Sequence, residues 1–148
     1  MAADRITIRN ALVGDYSRCL PLLTSLYHGD IGTDFKRTFV GFVVGDDSTV
    51  LLAQSRRRVV GILIGSFQMD MDWEGMTARI DAIVVSEKYR RAGIGRQLVN
   101  RFVALAEGRG CKAVKSRVGG KNGRAQRFHG SLGFSRARTY EYLLDLVC

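Results

Sequence analysis

A chain of 148 residues, with 46% hydrophobic and 25% charged residues, has the length and apolar content of one globular domain, which excludes intrinsic disorder. The formal net charge of +9 is uneven: residues 86–127 hold twelve Lys or Arg against two Glu, a balance of +10, whereas the rest holds eleven bases and twelve acids. This basic segment favours an anionic partner, either a nucleic acid or a phosphorylated cofactor, although a solvated face kept for solubility explains it equally well.

The cysteines and the apolar runs limit the class of protein further. Cys19, Cys111 and Cys148 form no CxxC pair and the histidines are not clustered, so the sequence predicts neither a disulfide framework nor a metal site. The first ten residues lack the apolar stretch of a signal peptide, and the longest apolar run, 59–69, is about half the length of a membrane span. We therefore expect a soluble, cytoplasmic protein with reduced thiols.

The N-terminal half of the chain predicts a strand, two helices and a hairpin. Alternation at period two indicates a strand over 5–12, and Asp15 is a candidate N-cap for the helix that follows. A second helical pattern covers 34–44. Two segments rich in Val, Ile and Leu, 48–55 and 59–69, flank a basic turn and predict a hairpin.

The C-terminal half predicts strands that alternate with helices. In chain order the elements are a strand over 77–86, a helix from Ile94 that ends at EGRG, a strand over 111–120, a helix from Asn122 to Gly133 and a final strand over 134–146. No repeat or linker interrupts this order, so we expect a single mixed α/β domain over 1–148.

The stretch YRRAGIGRQLV joins a buried strand to a helix. The first amides of a helix have no intrahelical partner and carry a partial positive charge, and Gly93 and Gly95 leave them accessible to an anion. Arg90, Arg91 and Arg96 add positive charge, so the stretch predicts a diphosphate site. It is neither a Walker A loop nor a complete GxGxxG fingerprint. Glycines that only shape a strand-to-helix turn are the structural alternative.

Two motifs together resemble the GNAT superfamily of N-acetyltransferases. YRRAGIG is similar to the family's acyl-CoA pyrophosphate loop, Arg/Gln-x-x-Gly-x-Gly/Ala, and NGRAQRFHGSLGF is similar to its downstream motif, Asn-x-x-Ala-x-x-Phe-Tyr-x-x-x-Gly-Phe. The matching residues are Arg90, Gly93 and Gly95 in the first motif and Asn122, Ala125, Phe128, Gly133 and Phe134 in the second. With RIDAIVV, which is similar to the family's fourth strand, the resemblance covers 77–134, whereas the N-terminal half matches only in element order.

The resemblance implies an α/β fold with a mixed, mostly antiparallel sheet of about six or seven strands and helices on both faces. Its central fourth and fifth strands splay apart, and the gap holds the pantetheine arm of acetyl-CoA. It also implies direct transfer of the acetyl group from acetyl-CoA to a primary amine, without a metal. The residues implied at the cofactor are Ile83, Val84 and Val85 through their backbone, Arg90, Arg91, Ala92, Gly93, Ile94, Gly95 and Arg96 around the pyrophosphate, and Asn122, Ala125 and Phe128 on the later helix. Asn122 also fits a simple helix N-cap.

Asp81 stands where many GNAT members carry an acid, so the resemblance implies a general base. An amine attacks a thioester only as the neutral base, and a carboxylate can accept the released proton directly or through water. Simple alternation along a strand puts Asp81, Ile83 and Val85 on one face, which would place the carboxylate on the cofactor side. A solvent-facing or salt-bridged aspartate is the alternative.

The residue after Phe128 is His129, where the family typically carries a tyrosine that protonates the leaving CoA thiolate. An imidazolium, with an ordinary pKa of about 6.5, can protonate a thiolate, and a neutral imidazole can donate an N–H hydrogen bond. The alternatives are a partly exposed His129 without a chemical role, or a phenol supplied by Tyr140 or Tyr142 on the final strand.

The partners are less constrained than the cofactor. An acidic loop with Asp70, Asp72 and Glu74 would favour a cationic acceptor such as a polyamine, an aminoglycoside-like sugar, a lysine side chain or a protein N-terminus. Exposed acids in a turn are, however, usually only solvated. The C-terminal YEYLLDLVC supplies either the contact of a homodimer or a core strand.

Two other functions stay open at this point. A domain that binds acetyl-CoA as a sensor and catalyses little is favoured by the missing tyrosine. Nucleic-acid binding through the basic half is less favoured, because the bases are divided among a loop, a helix and a strand and few aromatic residues accompany them.

Overall fold

The computed structural model describes residues 5–147, and this part of the chain contains five strands and four helices. In chain order they are β1 (Ile6–Asn10), α1 (Tyr16–Leu26), α2 (Phe35–Val44), β2 (Ser48–Ser55), β3 (Arg58–Asp70), β4 (Gly75–Val85), α3 (Ile94–Gly108), β5 (Val114–Ser116) and α4 (Gly123–Ser131). The order is the one that the sequence predicts up to α4. The chain forms two compact units, the first ending at Arg117 and the second beginning at Val118.

The five strands form one mixed sheet in the order β1-β2-β3-β4-β5. Neighbouring strands are antiparallel from β1 to β4, and β4 pairs with β5 in parallel. The mostly antiparallel sheet is therefore confirmed, but the expected six or seven strands are not: the described residues provide five. The predicted strand over 134–146 is the missing element, since no secondary structure follows α4 up to residue 147. Alternation shows that a segment suits a strand, but a strand forms only beside an edge that pairs with it.

Helices α1 and α2 cover one face of the sheet. Cys19 and Leu23 of α1 and Phe39 of α2 are buried in a cluster with sheet residues, of which Leu52, Ile62 and Ile64 are members. Ala82 and Val84 of β4 pack against the same cluster. Burial of each leucine, isoleucine or phenylalanine side chain in this cluster stabilises the fold by roughly 1.5 to 3 kcal/mol.

Helix α3 covers the opposite face, so the expectation of helices on both faces is confirmed. Its Phe102 stacks on Phe67 of β3 with 5.5 Å between ring centroids, and a Cβ at Gly65 would overlap the Phe102 ring. A Cβ at Gly61 would lie 3.1 Å from both Ile94 and Leu98. Glycine at these positions lets the helix lie directly on the strand.

A partly buried ion pair joins β1 to the start of α1. The carboxylate of Asp15 accepts hydrogen bonds of 2.8 Å from both terminal nitrogens of Arg9 and from the backbone N–H of Leu12. The hydrogen bonds from Arg9 lower the pKa of Asp15 to about 2, against the opposing effect of burial. Asp15 precedes α1 as predicted, but its side chain does not cap the helix, because these donors lie before it in the chain.

The longest helix, α3, has 15 residues. Within residues 5–147 there is no helix with both the length and the apolar character needed to cross a bilayer.

Candidate active site

The C-terminal end of β4 leaves the sheet with an open edge. Pairing with β5 covers only Ala78 to Ile80, whereas β4 continues to Val85. Over 81–85, no strand in the described part of the chain pairs with the outer side of β4. The pairing between β4 and β5 therefore ends after three residue pairs, because β5 itself ends at Ser116.

Alternating hydrogen bonds decide which backbone groups of β4 point to this edge. The N–H of Ser86 donates to the carbonyl of Val60 at 2.8 Å, so residues 84 and 86 direct their backbone groups toward β3, and Ile83 and Val85 direct theirs outward. Val84, paired with Ile62, also packs its side chain on the core. Of the three residues expected to bind a cofactor through their backbone, Ile83 and Val85 direct these groups to the open edge of β4, and Val84 directs its groups to β3.

Asp81 lies at a β-bulge that the sequence pattern does not reveal. In the pairing with β3, Ala82 is opposite Ile64 and Ile80 is opposite Gly65, so Asp81 is an extra residue in β4. The expectation that Asp81 shares a face with Ile83 is therefore wrong, because a bulge shifts the alternation by one residue.

The Asp81 carboxylate accepts a hydrogen bond of 2.7 Å from the hydroxyl of Ser66. Ser66 follows Ile64 by two residues on β3, so it lies on the face that α1 and α2 cover. Ile83 is paired with Leu63 and belongs to the α3 face. Sequence reasoning missed Ser66, and its one signal was a polar residue within the apolar run of β3.

The loop between β4 and α3 ends in an uncapped helix start. Gly93 is the N-cap residue of α3 in a left-handed conformation with φ +78°, and no side chain caps the helix there. Arg91 also has a positive φ, +65°. The amides of the first turn of α3 have no intrahelical acceptor, and the aligned peptide dipoles make this end of the helix positive.

Arginine side chains connect and surround this loop. The half-buried Arg90 donates from Nε to the carbonyl of Val85 at 3.3 Å, which links the loop to the open edge of β4. Arg91 and Arg96 are exposed. The first unit thus brings together an outward-facing strand edge, a positive helix end and three guanidinium groups, which is an arrangement for a long anionic ligand.

The sequence model described as the acetyltransferase (GNAT) family matches residues 12–134. This chain belongs to the GNAT family. The match includes both the β4–α3 loop and α4. A comparison with curated protein sequences gives no match.

Solved structures share this GNAT fold over nearly the whole chain. The aminoglycoside N-acetyltransferase AAC(6')-Iy in complex with CoA is 17% identical, with 98% of this chain and 97% of that chain covered and a TM-score of 0.88. A transcriptional regulator from Bacillus halodurans C-125 is 23% identical, with 95% and 100% covered and a TM-score of 0.85. A ribosomal-protein-alanine N-acetyltransferase from Brucella melitensis biovar Abortus 2308 is 17% identical, with 96% and 99% covered and a TM-score of 0.79. At these identities the likeness shows the fold alone.

The second GNAT motif lies on α4, in the second unit. The side-chain oxygen of Asn122 accepts a hydrogen bond of 3.1 Å from the N–H of Ala125, so Asn122 is an N-cap as the simpler interpretation predicts. Ala125 and Phe128 are half-buried. The motif therefore builds its own helix, and a role at the cofactor would add to this structural one.

His129, in place of the GNAT tyrosine, is 7% exposed, which excludes the expectation of a partly exposed side chain. Its ring makes edge contacts with Phe128 and Phe134 at centroid distances of 5.5 and 5.3 Å.

Nδ1 of His129 lies 2.8 Å from the carbonyl oxygen of Ala125, and because a carbonyl only accepts, Nδ1 carries a proton. Nε2 of the neutral ring is then an acceptor, so only the imidazolium can donate from Nε2. This corrects the expectation that neutral His129 could donate to a thiolate. Tyr140 and Tyr142, the other candidate phenols, are largely exposed.

In the acidic loop of this GNAT chain, Asp70 has a structural role. Its carboxylate forms an ion pair with Lys115 of β5 and accepts from the N–H of Asp72 at 3.0 Å. The hydrogen bond from Lys115 is the main cause that lowers the pKa of Asp70. Asp72 and Glu74 are exposed. No cluster of three or more His, Cys, Asp or Glu suited to a metal ion occurs among residues 5–147.

Proposed function

We propose that this protein transfers the acetyl group of acetyl-CoA to a primary amine by direct attack. GNAT membership supports an acetyltransferase, and one observation carries the proposal for this chain: the outward-facing edge of β4 adjoins the uncapped start of α3, joined through Arg90 and Val85. The thioester supplies the activated acetyl group. We further propose that residues 1–148 act as one N-acetyltransferase domain, since the family match extends across both compact units.

The cofactor would be held by two sets of backbone groups in the first unit. Ile83 and Val85 offer N–H and C=O groups to the amides of a pantetheine arm. Amides from Arg91 to Arg96, including those of Ala92, Gly93, Ile94 and Gly95, would bind the pyrophosphate, with Arg90, Arg91 and Arg96 supplying charge. The similarity of α4 to the second GNAT motif supports a role for Asn122, Ala125 and Phe128 in binding acetyl-CoA.

Asp81 is the proposed base for the acceptor amine. The hydrogen bond from Ser66 fixes the direction of the carboxylate on the exposed β4 edge, and a base must be held within hydrogen-bond reach of the proton that it removes. Its position on the face of α1 and α2, opposite to Ile83, separates the base from the backbone groups that would hold the pantetheine. The amine would therefore approach from the side of these two helices.

His129 is the proposed proton donor in its imidazolium form. Its Nδ1 proton is committed to the Ala125 carbonyl, so the proton that leaves would come from Nε2.

The proposed acceptor is a small cationic amine or a protein amine. The exposed Asp72 and Glu74 near the N-terminal end of β4 provide negative charge, although Asp70 is already paired with Lys115. Proteins of the same fold are named for an aminoglycoside and for a ribosomal-protein alanine, which are acceptors of these two kinds.

A second candidate function is acetyl-CoA binding with little catalysis. The geometry of His129 favours it, because the position after Phe128 holds no phenol and the Nδ1–H of a neutral His129 already donates to the carbonyl of Ala125. In this case CoA would bind and the amine would not be acetylated.

One paired experiment tests these proposals. Free CoA thiol is measured after acetyl-CoA is mixed with a panel of polyamines, aminoglycosides, lysine peptides and protein N-terminal peptides, and thermal unfolding is followed with increasing CoA. We expect a melting temperature that rises with CoA concentration and amine-dependent thiol release. The Asp81→Asn variant should keep the thermal shift and lose the release. A shift without release from any amine supports the binding module, and the absence of a shift contradicts both functions.

A further inference from the structure

Basic side chains are concentrated at one end of the sheet in the first unit. Ile6 is opposite Ser55, so the start of β1 lies beside the turn that joins β2 to β3. Ser86 donates its N–H to the carbonyl of Val60, near the start of β3, so the segment after β4 begins at the same end. The antiparallel register thus brings three separate segments together. We call their basic residues the basic rim: Arg5, Arg56, Arg57, Arg58, Lys88, Arg90 and Arg91.

The basic rim carries a strong excess of positive charge. In the sequence its three segments, 4–5, 56–58 and 86–91, hold seven Lys or Arg against two acids, Asp4 and Glu87. All seven basic side chains are exposed except that of Arg90, which is half-buried. The rim is not the basic stretch 86–127 of the sequence, because four of its arginines lie outside that stretch. Like charges held this close repel one another, so an anionic partner would be attracted to this end of the sheet.

Two arginines of the rim occupy left-handed backbone positions. Arg56 has φ +57° and Arg91 has φ +65°. Arg56 is the first residue of a two-residue hairpin turn, since Ser55 pairs with Arg58, and Gly or Asn is usual at a positive φ in such a turn. A long side chain at this φ strains the backbone, and strained positions cluster at functional sites. The chain therefore keeps charged side chains at positions where the backbone favours glycine.

The side chains of the rim suit a phosphate backbone. Six of the seven are arginines, whose planar guanidinium group binds two phosphate oxygens through parallel hydrogen bonds. None of the exposed large apolar side chains of residues 5–147 belongs to the three segments, so the rim has none to insert into a lipid surface. Tyr89, the one aromatic residue of these segments, is half-buried and offers little for unpaired bases to stack on. These properties favour the backbone of a nucleic-acid duplex.

We propose that the basic rim binds the phosphate backbone of double-stranded DNA without sequence preference. Neighbouring strands of a sheet are about 4.8 Å apart, so the rim extends over about 14 Å from β1 to β4. The major groove of B-DNA is about 12 Å wide, so the two ends of the rim can contact phosphates on both sides of the groove. The inference is independent of the acetyltransferase proposal, because only Arg90 and Arg91 of the rim belong to the proposed cofactor site.

The salt dependence of DNA binding tests the proposal. The anisotropy of a fluorescent duplex of mixed sequence and about 20 base pairs is measured with the protein at about 50 to 200 mM NaCl. Each neutralised phosphate contributes about −0.9 to the slope of log K against log salt, so roughly four to six contacts predict a slope of about −4 to −5 for the wild type. The double variant Arg57→Ser/Arg58→Ser should make this slope shallower by about 2.

A second double variant, Arg18→Ser/Lys112→Ser, is the matched control, because it removes the same charge at the opposite end of the sheet. Arg18 lies 3.9 Å from Asp15, after the end of β1, and Lys112 donates to the carbonyl of Glu74, before the start of β4. The control should keep the slope of the wild type. If the wild type does not bind the duplex at about 50 mM NaCl, or if the two double variants have equal slopes, the proposal is overturned.

Three other phosphate-bearing partners identify the occupant of the rim. Single-stranded DNA of the same length, an RNA duplex and vesicles that contain phosphatidylglycerol are each titrated at equal phosphate concentration. We expect the DNA duplex to bind about 10-fold more tightly than each of them, because an RNA duplex has a deep, narrow major groove. Another partner that binds as tightly as the DNA duplex contradicts the assignment. Arg57→Ser/Arg58→Ser should bind CoA like the wild type, so a failure of this proposal is distinguished from a failure of the cofactor site.

Discussion

Replacing Gly93 by alanine separates anion binding from the folding of α3. Gly93 has φ +78°, and an added Cβ would meet no atom within 4 Å. The cost to folding is therefore the left-handed backbone alone, about 1 to 2 kcal/mol for a residue with a side chain. Gly110, just after the other end of α3, has φ +77° and equally open surroundings, so Gly110→Ala is a control with the same strain.

We expect the two variants to unfold alike and to bind CoA differently. Both should lower the free energy of unfolding by about 1 to 2 kcal/mol in urea titrations. The methyl group of Gly93→Ala should also keep phosphate oxygens from the first amides of α3. A hydrogen bond to a charged group contributes about 1.5 to 3 kcal/mol, so the loss of one such bond weakens CoA binding about 10- to 100-fold.

Calorimetric titration with CoA measures the difference. The Gly110→Ala protein should bind CoA with the affinity of the wild type. If Gly93→Ala also binds like the wild type, or if both variants lose affinity equally, the start of α3 is not the phosphate site.

Four further substitutions test the proposed catalytic groups and the ion pair between Arg9 and Asp15. Asp81→Asn should lower kcat about 100-fold without changing CoA affinity, and Ser66→Ala should lower kcat less. If both variants turn over as fast as the wild type at saturating acetyl-CoA, Asp81 is not the base. His129→Ala should lower kcat without changing CoA affinity, and an unchanged kcat would remove His129 as the proton donor. The pKa of Asp15 is lowered from 3.8 to about 2 in the folded protein. Its carboxylate therefore stabilises the fold by roughly 2 kcal/mol above about pH 4, and this stabilisation is lost as the pH falls toward 2. Asp15→Asn should therefore be less stable than wild type at about pH 7 and similar at about pH 2 in urea titrations; a constant difference would refute the assignment.

Elements with strong local signals could be predicted from the sequence. The strand β2 spans Ser48–Ser55 as predicted, because a run of β-branched and aliphatic residues is bounded by turn residues. The start of α3 at Ile94 and the cap at Asn122 follow from a change of period and from cap chemistry, which are also local.

Features that depend on pairing could not be predicted. The bulge at Asp81 is a property of two strands in register, so alternation within β4 gave the wrong face for the carboxylate. Asp15 has the composition of a cap, but Arg9, brought beside it by the path of the chain after β1, takes its carboxylate instead. The predicted strand over 134–146 was wrong for the same reason, since the alternation of its residues says nothing about which sheet edge would pair with it.

Gly61 sets the spacing between the two parts of the proposed cofactor site, the open edge of β4 and the start of α3. It is opposite Val85 on the neighbouring strand, and Ile94 and Leu98 of α3 lie directly above it. One carbon atom added there would lift the helix start away from the strand edge, so the spacing between the sites for the two ends of a bound ligand would widen. Tuning of ligand length in this fold can thus begin at a residue that touches no ligand.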